Sequence, residues 1–507
     1  MKKALRIALF AFMSAAVFPV DAERWDVRDY VTLPDPTTQS GNTCWAHASA
    51  HAVMANWAYL SSLADGSYDE YAPDSVLSAE HMVAHRAYNN AVENGGSVDY
   101  AIAYYASGQG PKVVNAQDDT VDAKYFVGSV NKIPYSNTAS ALSVSIALVK
   151  AALKSYGAVS VVLNTAELQS PYYDAVNHSA YMSVDKAASL SLAPNHAGVI
   201  VGYDDDFNDF GNLAEKPSSP GAWIVEDSYG TSRHVSGYYY LSYNSGTLAE
   251  PVAYINRIER AVADTIMTKD RLGACGQASL GNDTVTLFSY YGNPNGVDVK
   301  AMGVYTTQLN TKIEAAVVKG GSPATTAWLS LSEKDTVLAL PGYHVVSMPS
   351  VSVQAGDSIG LMVQYETVNK SNLVLALEAT NSSGTAVVSN AGDQYMYYNK
   401  SWYTGKTAFP TANFIMKLYC KNDENVSAVV ENEACGAGLQ AWSVADGIMV
   451  LTDEKAAVSV YDANGRLVAV ADVDGEALVK VPARGVYVVA SGGGSVKVIK
   501  KKKKSGE

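Results

Sequence analysis

The sequence is poor in cysteine, with four among 507 residues. Exported proteins that rely on disulfides to hold a small fold together carry many more, so cross-links are not expected to maintain this one. Cys44 lies far in sequence from Cys275, Cys420 and Cys435. Any two of the last three could form one bridge, and the sequence does not select the pair.

Positive charge is also scarce, because 37 Lys and Arg oppose 50 Asp and Glu, for a formal net charge of −13. A protein that binds nucleic acid neutralises phosphates with basic side chains, so nucleic acid is not expected as a partner. Basic residues cluster at Lys500–Lys504, at the end of an otherwise acidic chain. Such a run typically forms a solvated tail.

Long apolar runs are absent except near the N-terminus. Three basic residues precede the apolar stretch Ile7–Val20, which is shorter than the roughly 20 residues that a transmembrane helix needs. The pattern predicts a signal peptide over residues 1–22, cleaved after Ala22, with cleavage after Ala16 as an alternative. The mature protein is therefore expected to be secreted or to lie at the outer cell surface. A retained membrane anchor is the competing interpretation.

The rest of the chain changes pattern along its length. Residues 23–262 show helical periodicity first and strand patterns afterwards, which predicts an α+β domain with two lobes. From 263 to 422, short strands alternate with Gly, Asn and Pro turns, a pattern typical of an all-β sandwich or jelly roll. Residues 423–437 are predicted to be a linker, and residues 438–507 a small C-terminal β-sandwich domain with the basic tail.

Within residues 23–262 the pattern predicts individual elements. Three helices are expected, at Cys44–Leu60, around Leu77–Val92 and at Leu142–Ser155. Strands are expected at Ala158–Leu163, Ala197–Tyr203, Ala222–Glu226 and Tyr238–Tyr243. The first helix has no Gly or Pro, and its Ala, Met, Trp and Leu content predicts burial.

The segment Gln39–Ala46 carries the strongest chemical signal, because turn-forming residues deliver Cys44 to the first turn of a helix. Unpaired N–H groups and the helix dipole at that position favour a thiolate. A thiolate is the nucleophile of acyl transfer, and it needs a base that takes the proton. The alternative is that Cys44 is a small buried hydrophobic residue.

A base and an orienting carboxylate follow further along the chain. His196 precedes the apolar segment Ala197–Tyr203, and Asp227 follows the strand Ala222–Glu226. The carboxylate of Asp227 can accept a hydrogen bond from His196, fix its tautomer and stabilise the imidazolium. In isolation, His196 could equally be a structural histidine and Asp227 an ordinary turn residue.

Together these motifs resemble the papain family of cysteine peptidases, in which the base follows the nucleophile by about 150 residues, as it does here. The resemblance spans residues 24–245 and implies a papain-like, two-lobed catalytic domain. In the family a glycine pair lines the substrate cleft, so Gly95 and Gly96 are expected to bind substrate. The matching segments are Trp25–Asp29, Cys44–Ala46, Leu77–Met82, Gly95-Gly96, Asn195–Ala197, Gly221–Val225 and Gly237-Tyr238.

The resemblance also implies a role for each residue of the site. Cys44 would be the nucleophile, His196 the general base and Asp227 the residue that orients the base. Gln39 would stabilise the oxyanion together with the backbone N–H of Cys44. The implied reaction is hydrolysis of peptide bonds in protein or peptide substrates through an acyl-enzyme, with no cofactor.

Three departures from the family pattern bear on activity. Asp227 stands where the family usually has Asn, and a carboxylate favours the imidazolium more strongly. Tyr229 replaces the Trp that usually covers this residue, and Arg233-His234 stand where Trp-Gly is usual, which changes water access. Gln39 lies five positions before the nucleophile rather than six.

Four histidines at helical spacing could suggest metal-binding faces: His47, His51, His81 and His85. No Glu-paired HExxH pattern accompanies them. They are therefore expected to be structural or surface residues, and no metal site is predicted.

Residues 263–422 resemble the lectin-like β domain that follows papain-like peptidases in some bacterial cell-surface proteins. The matching stretches are Ala301–Thr306, Ala355–Ser358 and Asn390–Tyr395. The resemblance implies a carbohydrate or cell-surface ligand. A platform for sugar rings could be formed by four aromatic residues, although such residues in strands more often belong to the core: Tyr397, Tyr398, Trp402 and Tyr403.

The C-terminal segment resembles the sorting domain of type IX secretion, through Val458–Arg466, Gly485–Val489 and the terminal Lys-Val-Ile-Lys run. That resemblance implies the secretion machinery as a partner, with export across the outer membrane and surface attachment. The alternative is an accessory β-sandwich that binds substrate or the cell surface.

The main prediction is thus an exported cysteine endopeptidase. One alternative keeps the fold but loses hydrolysis, which would give an adhesin or binding protein with a degenerate site. Another is a thiol acyltransferase, which would use the same three residues and exclude water.

Overall fold

The structure is a computed structural model that describes residues 23–65, 76–114, 120–292, 296–320, 323, 328–380, 385–387, 389–390, 392–422, 439–444, 447–462, 467–481, 485–491 and 494–500. The predicted signal peptide, the predicted linker and the end of the basic tail lie outside these residues. No helix among the described residues is both long and apolar enough to cross a membrane.

The chain forms two compact units. The first unit contains the described residues of 1–76 and 133–254, and the second unit those of 77–132 and 255–507. Residues 77–132 thus belong to the second unit, although they lie inside the predicted catalytic domain. The predicted domain boundaries stay predictions.

The first unit is built on a long buried helix, Cys44–Asp65. Every residue from Trp45 to Tyr59 is buried, as expected for a helix whose surface is apolar or small on all sides. The helix packs against the strands Val159–Leu163 and His196–Asp204. Among the described residues of the unit, two further helices and two 3-10 turns are present: Leu142–Tyr156, Val184–Ser189, Val27–Asp29 and Thr165–Leu168.

The sheet of the first unit brings the ends of two strands together. Its spatial order is Ala249–Tyr254, Val159–Leu163, His196–Asp204, Ala222–Glu226, Tyr238–Ser242, Ser179–Ala180 and Tyr173–Asp174, with Arg24–Asp26 also paired to His196–Asp204. The antiparallel register pairs Glu226 with Val199. The residue after Glu226 therefore lies beside the start of the neighbouring strand, which is His196.

The second unit contains a β-sandwich, so the predicted β-rich domain is confirmed. One sheet has the order Trp328–Leu338, Thr311–Gly320, Ile359–Thr367, Thr284–Tyr291, Gln394–Tyr398 and Ser401–Thr404. The other has the order Thr265–Thr268, Met416–Asn422, Val297–Thr306, Gly342–Val353 and Val130–Lys132. Between them lies a core that includes Leu287, Val304, Val317, Leu361 and Leu418.

Smaller elements complete the second unit. Its helices are Ala79–Ala84, Val98–Ala106 and Gly405–Ala408, with a 3-10 turn at Val92–Asn94. A small sheet contains Gly276–Ser279, Val374–Ala379 and Ala412–Phe414, and two strand pairs join Lys112–Val114 to Thr120–Asp122 and Tyr125–Val127 to Arg257–Glu259. The three cysteines that the structure describes are present as thiols: Cys44, Cys275 and Cys420.

The C-terminal part forms an antiparallel sheet with its own small core. Its strands are Leu439–Val444, Gly447–Asp462, Leu467–Val479, Gly485–Ser491 and Gly494–Lys500. Buried valines such as Val450, Val460 and Val489 form the core. The described strands pair in one antiparallel sheet, and the predicted β-sandwich and sorting role of this segment stay predictions.

The helix expected around Leu77–Val92 is much shorter than predicted. It covers Ala79–Ala84 and ends at His85, whose backbone leaves the helical region at φ −111° and ψ 16°. The guanidinium of Arg86 donates to the carbonyls of Val83 and Asn90, which holds the following chain in a turn. The sequence also did not predict the helix Val98–Ala106, because its tyrosines and β-branched residues are only moderate helix formers.

Candidate active site

Cys44 is the first residue of the long buried helix. The carbonyl of the preceding Thr43 accepts from the N–H groups of Ala46 and His47, at 3.0 and 3.3 Å, and starts the helical hydrogen-bond pattern. The hydroxyl of Thr43 donates to the carbonyl of Ser40 at 3.0 Å and fixes the approach of the chain. Cys44 is half-buried, while the next fifteen residues are buried. The thiol is thus presented at the edge of a rigid core, at the end of a helix where anions are stabilised.

His196 connects this thiol to a buried carboxylate. Its Nε2 atom is 2.7 Å from Oδ1 of Asp227, and the two side chains are 2% and 0% exposed. Cys44 lies close enough to His196 to influence its charge, and Nδ1 is the ring nitrogen that the bond to Asp227 leaves open. Burial would lower the pKa of His196, but Asp227, through its hydrogen bond and its charge, and the neighbouring Cys44 raise it to about 9. The predicted residues Cys44, His196 and Asp227 therefore come together, and the site favours the imidazolium.

Asp227 is held as an ion by several donors. Burial would raise the pKa of this carboxyl, but hydrogen bonds from His196 and His234 and their charges keep it well below its usual range. The N–H of Ser228 donates to Oδ1 at 2.8 Å. Because an ionised carboxylate only accepts hydrogen bonds, Nε2 of His234 donates to Oδ2, at 2.9 Å.

Tyr229 and Arg233 lie over the pair formed by His196 and Asp227. The ring of Tyr229 stacks on that of His196, with centroids 5.4 Å apart and planes 13° apart. The guanidinium of Arg233 lies 4.5 Å from the centroid of the Tyr229 ring, and its Nε is 3.9 Å from Oδ2 of Asp227. Tyr229 therefore shields His196 from water, in the position where the family pattern has Trp.

Gln39 is tied to the same strand end through Ser228. Its backbone N–H donates to the carbonyl of Ser228 at 2.8 Å, and its Oε1 accepts from the Ser228 hydroxyl at 2.6 Å. The amide nitrogen donates to the carbonyl of Gly41 at 2.6 Å. A primary amide has two hydrogens, so one stays available for an oxyanion. The role of Gln39 stays a prediction.

Gly95 and Gly96 lie in the second unit, after the 3-10 turn Val92–Asn94. Gly95 has φ 71°, in the left-handed region that glycine tolerates without strain. Its carbonyl accepts from the side-chain amide of Asn90 at 2.8 Å. Their role in substrate binding stays a prediction.

The four helical histidines make hydrogen bonds of their own. Nδ1 of His51 lies 2.5 Å from Oε1 of the buried Glu226, and Nδ1 of His47 lies 2.7 Å from the hydroxyl of Thr37. The rings of His81 and His85 stack with centroids 3.7 Å apart. In the described parts of the chain, no three His, Cys, Asp or Glu side chains gather in a way that could hold a metal.

Sequence reasoning missed the second partner of Asp227. His234 was noted only as a departure from the family pattern, and Tyr173, which bonds to it, was not singled out. His234 reaches the carboxylate because its backbone turns at φ 58° between two strands. The polar pair Arg233-His234 soon after Asp227 was the signal available, but sequence alone does not give the direction of a turn.

Comparison with known proteins defines the class. Residues 22–255 match the papain family cysteine proteases, and residues 266–420 match the lectin like domain. The chain therefore combines a papain-family cysteine protease domain with a lectin-like domain that follows it, and it is a cysteine peptidase. A search of curated proteins returns no match to the chain.

Two solved structures share this arrangement. One is the clostridial cysteine protease Cwp84 after propeptide cleavage, at 20% identity and a TM-score of 0.63, covering 79% of this chain and 99% of that one. The other contains the cysteine protease and lectin-like domains of Cwp84, a surface layer associated protein of Clostridium difficile. It has 20% identity, a TM-score of 0.64, and covers 79% of this chain and 89% of that one. At this identity the likeness establishes the fold.

Proposed function

We propose that the protein is an exported endopeptidase that hydrolyses peptide bonds through an acyl-enzyme on Cys44. The observation that supports it best is the placement of Cys44 beside His196, whose Nε2 is hydrogen-bonded to the ionised Asp227. A nucleophile, a base and a group that orients the base form the constellation of nucleophilic catalysis.

The proposed steps follow from the position of His196. The Cys44 thiolate attacks the peptide carbonyl, and Nδ1–H of the imidazolium protonates the departing amine. The oxyanion accepts hydrogen bonds from the Cys44 N–H and the Gln39 amide. His196, now neutral, then takes a proton from water, the resulting hydroxide attacks the thioester, and the acid product leaves with the thiolate and imidazolium restored.

Export and surface location are further parts of this proposal. They are supported by the N-terminal sequence pattern, by the resemblance of the C-terminal segment to type IX sorting domains, and by the description of Cwp84 as surface layer associated. The secretion machinery would then be a partner of the C-terminal sheet, and protein or peptide chains the substrates.

The test is labelling of residues 23–507 with an epoxide inhibitor selective for cysteine peptidases, followed by mass spectrometry. We expect one adduct, at Cys44, and its loss in His196→Ala, because the base that takes the proton from the thiol is then absent. Folded protein that does not label would instead support the binding-protein alternative. Amide products formed with added amines, in place of hydrolysis, would indicate the acyltransferase.

A second candidate function, carbohydrate binding, is favoured by one face of the six-stranded sheet. The register places one residue of each strand directly opposite the next, in a single row: Asp335, Glu314, Gln364, Thr286, Tyr397 and Trp402. These residues line a groove of about 940 Å³. We name this row the polar–aromatic row.

The composition of this row suits a sugar. The rings of Tyr397 and Trp402 lie 5.2 Å apart at one end, where they can stack on the apolar face of a pyranose. The amide and carboxylates further along can bond to hydroxyl groups. Tyr398 does not belong to the row, because it packs against the sandwich core and donates to the carbonyl of Leu280 at 2.5 Å.

Trp402→Ala is expected to weaken glycan binding about tenfold or more, because it removes the largest ring of the row. The measurement is a titration of the full mature chain against a glycan panel. Tyr403→Ala is the matched control, since Tyr403 lies on the same strand opposite Met396, a residue of the sandwich core. Absence of binding by the wild type, or equal losses in both variants, would count against this function.

A further inference from the structure

Asp227 has two carboxylate oxygens and a histidine on each. Oδ1 faces Nε2 of His196 at 2.7 Å, and Oδ2 faces Nε2 of His234 at 2.9 Å. Both histidine side chains are buried, at 2% and 1% exposure. A buried carboxylate oxygen without a donor is costly, so an aspartate at this position requires a partner on its second oxygen.

His234 is itself held from the other side. Its Nδ1 lies 2.6 Å from the hydroxyl of Tyr173, and the same hydroxyl lies 3.1 Å from Nδ1 of His178. The His234 ring packs edge-on against Tyr173 and lies 4.8 Å from the ring of Tyr239. Arg233 lies nearby, with its Nε 3.9 Å from Oδ2 of Asp227, and the charge of Asp174 also acts on Tyr173.

The hydrogen bonds around His234 hold both of its ring nitrogens. Burial raises the pKa of Tyr173 to about 12, so its hydroxyl stays protonated near neutral pH and bonds to Nδ1 of His234. Because the ionised Asp227 only accepts hydrogen bonds, Nε2 of His234 carries the proton that faces Oδ2. Tyr173 and Asp227 together fix the orientation of His234 and its Nε2–H, as Asp227 fixes the orientation of His196.

We infer that His234 is a positioning residue of the peptidase site, which holds Asp227 through its second oxygen and thereby orients His196. The inference rests on the proposed function. It gives a physical reason for the aspartate at position 227. An asparagine that bonded to His196 through its carbonyl oxygen would direct its NH₂ group at Nε2–H of His234, donor against donor.

The test compares His234→Leu with His234→Gln. Gln keeps a donor near the position of Nε2, whereas Leu removes it. Neither side chain is favoured at the left-handed φ of this residue, so backbone strain is matched. The readout is the second-order rate constant for epoxide labelling of Cys44 in the full mature chain, measured from about pH 4 to about pH 10.

Leu is expected to lower the neutral-pH rate ten- to hundred-fold, the usual loss when the partner of an orienting ligand is removed. The Leu substitution should also move the basic limb of the pH–rate profile to higher pH, because a carboxylate that has lost a donor holds the His196 imidazolium more strongly. The Gln variant should label at a rate within about threefold of wild type, and both limbs of its pH–rate profile should stay in place. Equal rates in the two variants, or unmoved limbs in the Leu variant, would overturn the assignment.

Tyr173→Phe provides a second variant if His234→Leu does not fold. It removes only the hydroxyl that bonds to Nδ1 of His234, and a loss of about threefold to tenfold is expected, with the basic limb displaced in the same direction. No change in rate or limb would also overturn the assignment. Wild-type protein that does not label would contradict the proposed function instead, so the two failures are distinguishable.

Discussion

Cys44→Ala is expected to reduce kcat/KM by a factor on the order of 10⁴ or more, because an acyl-enzyme cannot form without the nucleophile. Hydrolysis of a fluorescently labelled, denatured protein at neutral pH would measure it. The free energy of unfolding should change little, since Cys44 is only half-buried and alanine is an excellent helix former.

Cys275→Ala is the matched control for this experiment. Cys275 is also a half-buried thiol, but it lies in the second unit, where it donates to the carbonyl of Ala379. We expect full activity in this variant. Retained hydrolysis in Cys44→Ala, or its loss in Cys275→Ala alone, would show that the nucleophile has been assigned to the wrong residue.

Asp227→Ala is expected to have the second largest effect, a loss on the order of 10²- to 10⁴-fold in kcat/KM. Removal of the carboxylate leaves Nε2 of His196 and Nε2 of His234 without their acceptor in a buried site. The imidazole then loses both its orientation and the charge that stabilises its protonated form. Hydrolysis over a range of pH would measure the loss.

Asp227→Asn removes the negative charge at this position. The asparagine carbonyl still accepts from His196, so that tautomer is kept, but the charge that raises the His196 pKa to about 9 is gone. The pKa therefore falls, and the basic limb of kcat/KM moves to lower pH, with the greatest loss of activity above neutral pH. The NH₂ group of the asparagine also meets Nε2–H of His234, and this contact is expected to lower activity at every pH. A basic limb that did not move would contradict the role of Asp227 as a charged partner.

The raised pKa of His196 also makes the stability of the protein depend on pH. The folded-state pKa of His196 is raised above its ordinary value of 6.5, so its pairing with Asp227 contributes most at pH below that value and is lost as the pH rises through about 9. In the Asn variant this contribution is smaller. The difference in free energy of unfolding between this variant and wild type should therefore be largest in mildly acidic solution and decrease as the pH rises through about 9.

The central part of the site could be predicted because each of its residues lies at a recognisable boundary. Cys44 begins a helix without Gly or Pro, His196 begins an apolar strand, and Asp227 directly follows one. Each of these boundaries can be recognised from the residues next to it in the sequence. The antiparallel pairing of the two strands then follows from ordinary sheet geometry and places His196 beside Asp227.

Other features depend on interactions that local sequence does not encode. His234 reaches Asp227 through a left-handed backbone turn and a hydroxyl from Tyr173, which lies 61 residues earlier in the chain. The early end of the helix Ala79–Ala84 depends on the turn that Arg86 stabilises. The polar–aromatic row depends on the register between six strands. The residue pattern within any one strand does not determine that register.

The order in which the chain is made has a consequence for when the enzyme becomes active. The first unit is discontinuous, because residues 77–132 of the second unit are inserted between its two segments. The buried helix that begins at Cys44 has no sheet to pack against until the strands around His196 and Asp227 have been synthesised. Since helices of this kind gain most of their stability from tertiary packing, Cys44 in a nascent chain has neither His196 beside it nor rigid support. Incomplete chains would thus be unable to cleave their neighbours while they are being made.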